Sequence, residues 1–360
     1  MGCHDNSWPQ INFAAVGKIS EWDSAEPSDE RVLVLSNNPE TIAAADTTTA
    51  RNLYKIEWLI PDSGVLNFRV MLWNGHAAAV TRNIIIRVGF RTFGGTVTAH
   101  KSISQIVRLG NLYQAGTCCA IAQVQGTLDP DDGPINIPVG QERDVKVYAV
   151  PGVGVEPFYA CAVHEFAVLG NPGDFVRIRT LVSPNTTRGA YDDPVLNTVG
   201  THPRGSWPYS SLFVEAGAPI DLSDPDISNV TFQVAALGGK DANLYVLGNH
   251  DPWGHPATGN KGLYGVNAQY HVMFTNSQPQ ISYLWRAYLV PANTGFKYWG
   301  ALDPKIVRPM STPGTDEDGN RVLIGEATTG PLLPNLHVKV ATGGAAGTPV
   351  NIFCEWSVIN

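Results

Sequence analysis

Gly248-Asn249-His250-Asp251 is the run in this chain whose residue types and spacing come nearest to a hydrolytic centre. An Asn and a His at a strand end can help hold two metal ions and a phosphate. The metals then activate water and steady the leaving oxygen. Such a centre needs partners from elsewhere: an upstream Asp-x-His, a Gly-Asp with a further Asp, and downstream histidines. No Asp-x-His occurs, Gly173-Asp174 lacks the flanking pattern, and His271 and His337 fall in strand-like runs. The α/β alternation that would carry such a site is missing too. The run reads as a Gly- and Asn-rich loop, and the chain is expected not to be an enzyme.

Weaker sites remain beside it. His250, Asp251 and His255 lie within six residues, and Pro252 and Gly254 permit a turn that converges them on a surface metal. A polar loop tip with a packed Trp253 accounts for the same residues. Asp129–Asp132 and the run with Asp316, Asp318 and Gly319 resemble calcium loops, since calcium takes six to eight oxygens. Neither has full EF-hand spacing, so plain acidic turns are expected and no cofactor is assigned, calcium being the one candidate. The chain has no G-x-S-x-G elbow, S-x-x-K, H-E-x-x-H or P-loop. Cys161 and His164 stand three apart, which on a strand turns them to opposite faces.

The five cysteines are Cys3, Cys118, Cys119, Cys161 and Cys354, with no C-x-x-C. They read as small buried residues, with a bridge from Cys118 or Cys119 to Cys161 left open. Adjacent cysteines on a strand face opposite ways, so only one of that pair suits a given partner. Trp285, Tyr288, Phe296, Tyr298 and Trp299 cluster, with Trp207 and Tyr209 earlier. Core packing explains most of them. Trp253, Trp285 and Trp299 are the candidates for stacking on sugars or anchoring an interface.

The elements that must position these residues are strands. Leu66, Phe68, Val70 and Leu72 alternate with Asn67, Arg69 and Met71, a half-buried strand pattern. Ile84-Ile85-Ile86-Arg87-Val88 is rich in β-branched residues. Further runs recur at Val32–Leu35, Asp144–Val150, Ala160–Leu169, Phe175–Val182, Ser211–Glu215, Val230–Ala236, Tyr270–Phe274, Ile281–Val290 and Val350–Val358. Turn signals such as Ser36-Asn37-Asn38-Pro39 separate them. An all-β fold follows: two packed β-sandwich or jelly-roll-like domains with long loops. Residues 1–27 are expected as an N-terminal arm, 28–190 as the first domain and 191–360 as the second.

Composition narrows the partners. Among 360 residues, Lys and Arg number 24 and Asp and Glu 32, for a net charge of −8. With no basic block, nucleic-acid binding is not expected. Charged residues are 16%, well below the usual quarter, while Gly (36) and Pro (26) are abundant, which favours strands and loops over helices. No apolar run reaches the roughly 20 residues of a membrane span. The start, Met1-Gly2-Cys3-His4-Asp5, reads as no signal peptide; a trimmed mature chain and a virion component made without a leader are the two expectations.

Five signatures occur in one order: Ser36-Asn37-Asn38-Pro39-Glu40, Phe68-Arg69-Val70, Arg204-Gly205-Ser206-Trp207, Gly239-Lys240-Asp241-Ala242 and Gly262-Leu263-Tyr264-Gly265-Val266. Over about 28–358 the chain thereby resembles the uncharacterised all-β module of Gram-positive surface proteins that often carry a copper amine oxidase N-terminal (stalk) domain. Where that family has His-x-Asn, this chain has Trp73-Asn74-Gly75-His76. The resemblance implies an extracellular or cell-surface place and brings no catalytic residues. The expected function is structural: a protein that self-assembles into a fibre, sheath or layer, or displays a binding face. Its partners would be copies of itself, and cell-envelope glycans under the carbohydrate-binding alternative. The other alternative is a virion protein, a double jelly-roll coat or spike.

Overall fold

A computed structural model describes residues 19–20, 24–37, 39, 41–43, 45, 48–77, 81–108, 116, 119–120, 122–124, 126–130, 133–151, 158–196, 204–235, 260, 263–291, 298–302, 306–309, 322–329, 335–342 and 350–359. The chain is mostly β, with 62% strand, one short helix and four sheets, none closed into a barrel.

The second half of the chain builds two of the sheets. From Asn229 its eight strands are Asn229–Ala235, Asn267–Thr275, Tyr283–Pro291, Tyr298–Leu302, Ile306–Pro309, Val322–Thr328, Asn335–Thr342 and Val350–Val358. The first, eighth, third and sixth lie side by side in one sheet. The second, seventh, fourth and fifth lie side by side in the other. Every neighbouring pair among them is antiparallel. Alternation sets the faces. Ala268, Tyr270, Val272 and Phe274 turn one way and are buried; Gln269, His271 and Met273 turn the other way and meet solvent. The buried set shares one cluster with Trp285, Ile352, Cys354 and Trp356 of the other sheet.

The first half repeats much of this connectivity. Its eight main strands are Val32–Ser36, Arg51–Leu59, Val65–Ala77, Arg82–Phe90, Glu142–Val150, Phe158–Leu169, Phe175–Ser183 and Arg204–Trp207. The second, seventh, fourth and fifth again form one sheet in that order. In the other sheet the order is sixth, third, first, eighth, so the last strand lies outside the first instead of between first and third. The first and third therefore pair directly and in parallel, Val34 opposite Val70. An insert between the fourth and fifth strands adds Gly95–Arg108, Asp129–Pro130 and Ile135–Ile137 to that sheet. Phe68, Val70, Ile86, Val88, Phe166 and Ile178, drawn from both sheets, form a second core. Each such side chain contributes roughly 1.5–3 kcal/mol by leaving water.

The eight-stranded sheet is buried on both faces. Leu33, Leu35, Met71, Trp73, Cys161 and Val163 on its far face belong to the cluster of the second half. Tyr264 meets Trp73 there at 5.7 Å. The chain also crosses between halves. Ile19–Ser20 pairs with Asn229–Ala235, and Ser24–Pro27 pairs with Ser211–Glu215, so these parts of the expected arm, 1–27, hold strands in the second half's sheets. Arg204–Trp207, expected beyond the divide at 190/191, pairs with Val32–Ser36 of the first half. Both ends follow from the same need: an open sheet edge has backbone groups to satisfy, and a neighbouring segment satisfies them.

Candidate functional site

The candidate metal and catalytic residues of the sequence, His250, Asp251, His255, Asp316 and Asp318, lie outside the described residues, as does Trp253. So do Asp131 and Asp132; Asp129 is exposed in its two-residue strand. Trp299 is placed in a strand, opposite Ala341 and Pro309. Trp285 is 3% exposed and edge-on to Phe274 at 5.4 Å, which makes it core rather than a surface platform. Among the described residues, no group of three or more His, Cys, Asp or Glu is arranged to hold a metal ion. Cys161 and His164 do face opposite sides of their strand: Cys161 joins one core, while His164 lies against Phe166 of the other at 5.2 Å.

What the structure does assemble is a polar joint between the halves. Arg69 alternates outward from Phe68 and Val70 and is 2% exposed. Its Nε donates to Glu165 Oε1 at 2.8 Å, its Nη2 lies 2.7 Å from the same oxygen, and Arg31 Nη1 reaches that oxygen at 3.0 Å. Its Nη1 donates to the carbonyls of Ser210, at 2.8 Å, and Gly265, at 2.9 Å. One guanidinium thus ties a strand of the first half to two loops of the second, a use that suits its rigid fork of donors. Asp29 completes the joint by accepting from the backbone N–H of Ser210 and Ser211 and from both hydroxyls. Burial opposes its ionisation, but those hydrogen bonds and the Arg69 charge outweigh it and hold the carboxyl below its usual range.

The loop that Arg69 grips is itself braced. Asn260 Nδ2 donates to the Tyr264 carbonyl at 2.8 Å, and its Oδ1 accepts from the Tyr264 N–H at 2.9 Å. Leu263 sits at φ 52° and Gly265 at φ 75°. A methyl group at 265 would lie 2.8 Å from Leu33 Cδ1 and 3.3 Å from Met71 Cβ, so the turn needs Gly both for its backbone and for its close approach.

A second network covers the outer face of the four-stranded sheet. Arg179, 1% exposed, pairs with Glu142 at 2.7 Å and donates to the carbonyls of Arg188 and Gly189. Lys55 Nζ donates to the carbonyls of Tyr191 and Asp193, and Asn52 Nδ2 to those of Ala190 and Asp193. The Tyr191 ring lies under Arg177 at 4.8 Å. The segment 188–193 is thereby strapped across the sheet. Arg204, the first residue of one of the five signatures, donates from Nη1 to Leu196 O at 3.1 Å.

A third group faces solvent. His271 and His337 stand directly opposite on neighbouring strands, rings 6.0 Å apart, with Phe213 within 6.1 Å of one and 6.4 Å of the other. Glu215 Oε1 is 3.4 Å from His271 Nδ1, and Gln269 Oε1 is 3.3 Å from His337 Nε2. Cys119, Cys161 and Cys354 are buried free thiols, and burial pushes the Cys354 thiol well up. Cys119 is helical, as are 116, 120 and 122–124, and its Sγ is 3.5 Å from the Cys161 carbonyl oxygen.

Arg69 and Arg204 belong to motifs that the sequence singles out, but Glu165, Asp29, Arg179 and Glu142 carry no local signal. Arg69 lies 96 positions from Glu165, Glu142 37 from Arg179, and Ser211 182 from Asp29. In these clusters the charges tie backbone to backbone, which is structural work. No protein-family model matches the chain, and no curated protein matches it.

Proposed function

We propose that this chain is a non-enzymatic structural protein whose identical copies assemble into a coat, and that each copy consists of two tandem jelly rolls. The strand order carries the reading. In the second half, the sheet of first, eighth, third and sixth strands and the sheet of second, seventh, fourth and fifth support an eight-stranded jelly roll. The first half shares one of those sheets strand for strand and differs in the other by the place of its last strand. Jelly rolls also serve as lectin and enzyme scaffolds, so the step from fold to coat is an analogy. Supporting it are the tandem arrangement, the joint that holds both halves in one orientation, and the use of charged clusters for bracing. The virion alternative, a double jelly-roll coat, is therefore preferred over a fibre.

A cell-surface layer is the second reading. Two of the motifs behind that resemblance meet in space, since Arg69 donates to Gly265 O. A third motif supplies the strand that borders Val32–Ser36. Shared joint residues would give a surface module the same architecture, with envelope glycans as partners.

Light scattering coupled to size exclusion tests self-assembly on the untagged protein. The expected result is a mass many times the 38.8 kDa of one chain. A mass of one chain across all concentrations and salts would overturn both readings.

A further inference from the structure

We infer that the loop end of the first half is the surface through which one copy of this chain meets another. The inference rests on the assembly reading above and names its contact. Four turns close this end: 60–64, 91–94, 138–141 and 170–174. They form one rigid surface. Asp174 is buried and accepts from the backbone N–H of Thr92 at 3.0 Å, Phe93 at 2.8 Å and Phe175 at 2.7 Å. Gly170 N–H donates to Gly64 O, Gly173 N–H to Ile60 O, and Ile60 N–H to Asp174 O. Gly94 packs so tightly that a methyl group there would stand 2.8 Å from Ile137 O and 3.2 Å from Val139 N.

On this braced frame five large apolar side chains face solvent: Leu59, Val65, Phe93, Val139 and Leu169, each 38% to 59% exposed. Val65 and Leu169 are register partners, and Leu59 stands opposite Phe175. Scattered apolar residues need no explanation; a cluster at one rigid end marks a contact surface. The charges select the partner. In a chain of net charge −8, the exposed charged residues of these turns are one Asp62 and one Arg91. Arg91 has a side chain 54% exposed; its Nη1 lies 3.8 Å from Glu57 Oε2, a carboxylate held more closely by Arg177 at 2.6 Å, so the outer side of the Arg91 guanidinium stays open to solvent. A neutral tip is where two acidic copies can approach without repulsion. One acid and one base on the same patch make it self-complementary about a two-fold axis, Asp62 of each copy facing Arg91 of the other.

Sedimentation velocity on the full chain tests this with three sets of variants. The tip pair Phe93→Glu with Val139→Glu removes the apolar contact. Val147→Glu with Met273→Glu places the same charges on exposed apolar residues elsewhere. Asp62→Arg and Arg91→Asp are made singly and together. The expected result is association of wild type and of the control pair. The tip pair should weaken association at least about 30-fold with an unchanged melting temperature. Each single charge reversal should weaken association, and the double reversal should restore it. Tip variants that associate like wild type would overturn the inference and leave the assembly reading intact. A wild-type chain that stays monomeric would overturn both.

Discussion

At the scale of single residues, a buried arginine, a glycine at positive φ and the buried imidazole of His76 each carry a measurable share of stability. Arg69→Met would remove the guanidinium donor from the Gly265 carbonyl, leave the Ser210 carbonyl with the Asn267 N–H as its remaining donor, and take from Glu165 its closest cation. Breaking such a pair from one side costs on the order of 3–5 kcal/mol, so chemical denaturation should show a loss of that size. Gly265→Ala meets both a positive φ and the Leu33 and Met71 side chains, and should cost about 1–3 kcal/mol by the same measurement. His76 gives the pH dependence. It is 3% exposed, its ring nitrogens have no hydrogen-bond partner, and burial, then the Arg82 charge, lower its pKa to about 4. The unfolded chain takes up this proton below about pH 6.5 while the folded chain does not until about pH 4. Stability from His76 is thus full above 6.5 and falls by roughly 3 kcal/mol as pH drops through that window. In His76→Phe this part of the slope should vanish, and stability at pH 7 should change little. An unaltered slope would assign the acid sensitivity to other groups.

Elements were more legible in the sequence than residues were. Ser211–Glu215 and Val350–Val358 occupy the expected spans, because each is an apolar run bounded by turn formers. Gly95–Arg108 gave no such signal. It is rich in Thr, Ser, Lys and Gln, and a register shift against Phe158–Leu169 between Glu165 and Ala167 interrupts its period of two. Arg204–Trp207 was legible only as a motif, since four residues with Arg and Gly at the start resemble a turn more than a strand. The buried arginines could not be read locally at all. An Arg alternating with Phe68 and Val70 is expected to face solvent, and only the docking of loops from far along the chain covers it. Pairing of Ile19–Ser20 and Ser24–Pro27 with the second half gives an element-scale prediction. A chain lacking residues 1–27 should lose hydrogen-exchange protection in Asn229–Ala235 and Ser211–Glu215, and keep it in the first half's four-stranded sheet. Uniform protection in both chains would mean these edge strands add nothing to stability.

For the whole molecule, the central observation is one connectivity used twice, with the last strand placed differently in the two halves and a braced polar joint between them. An eight-stranded sheet buried on both faces makes the pair of halves behave as one block, since relative rotation would break the Arg69 bonds and expose Trp73 and Tyr264. A rigid block with a neutral apolar end is suited to repeated, identical contacts. Electron microscopy of the native protein tests this most directly. Closed shells or regular arrays of identical subunits are expected, each subunit resolving into two strand-built lobes of similar size. Dispersed single subunits under every condition that keeps the chain folded would contradict it.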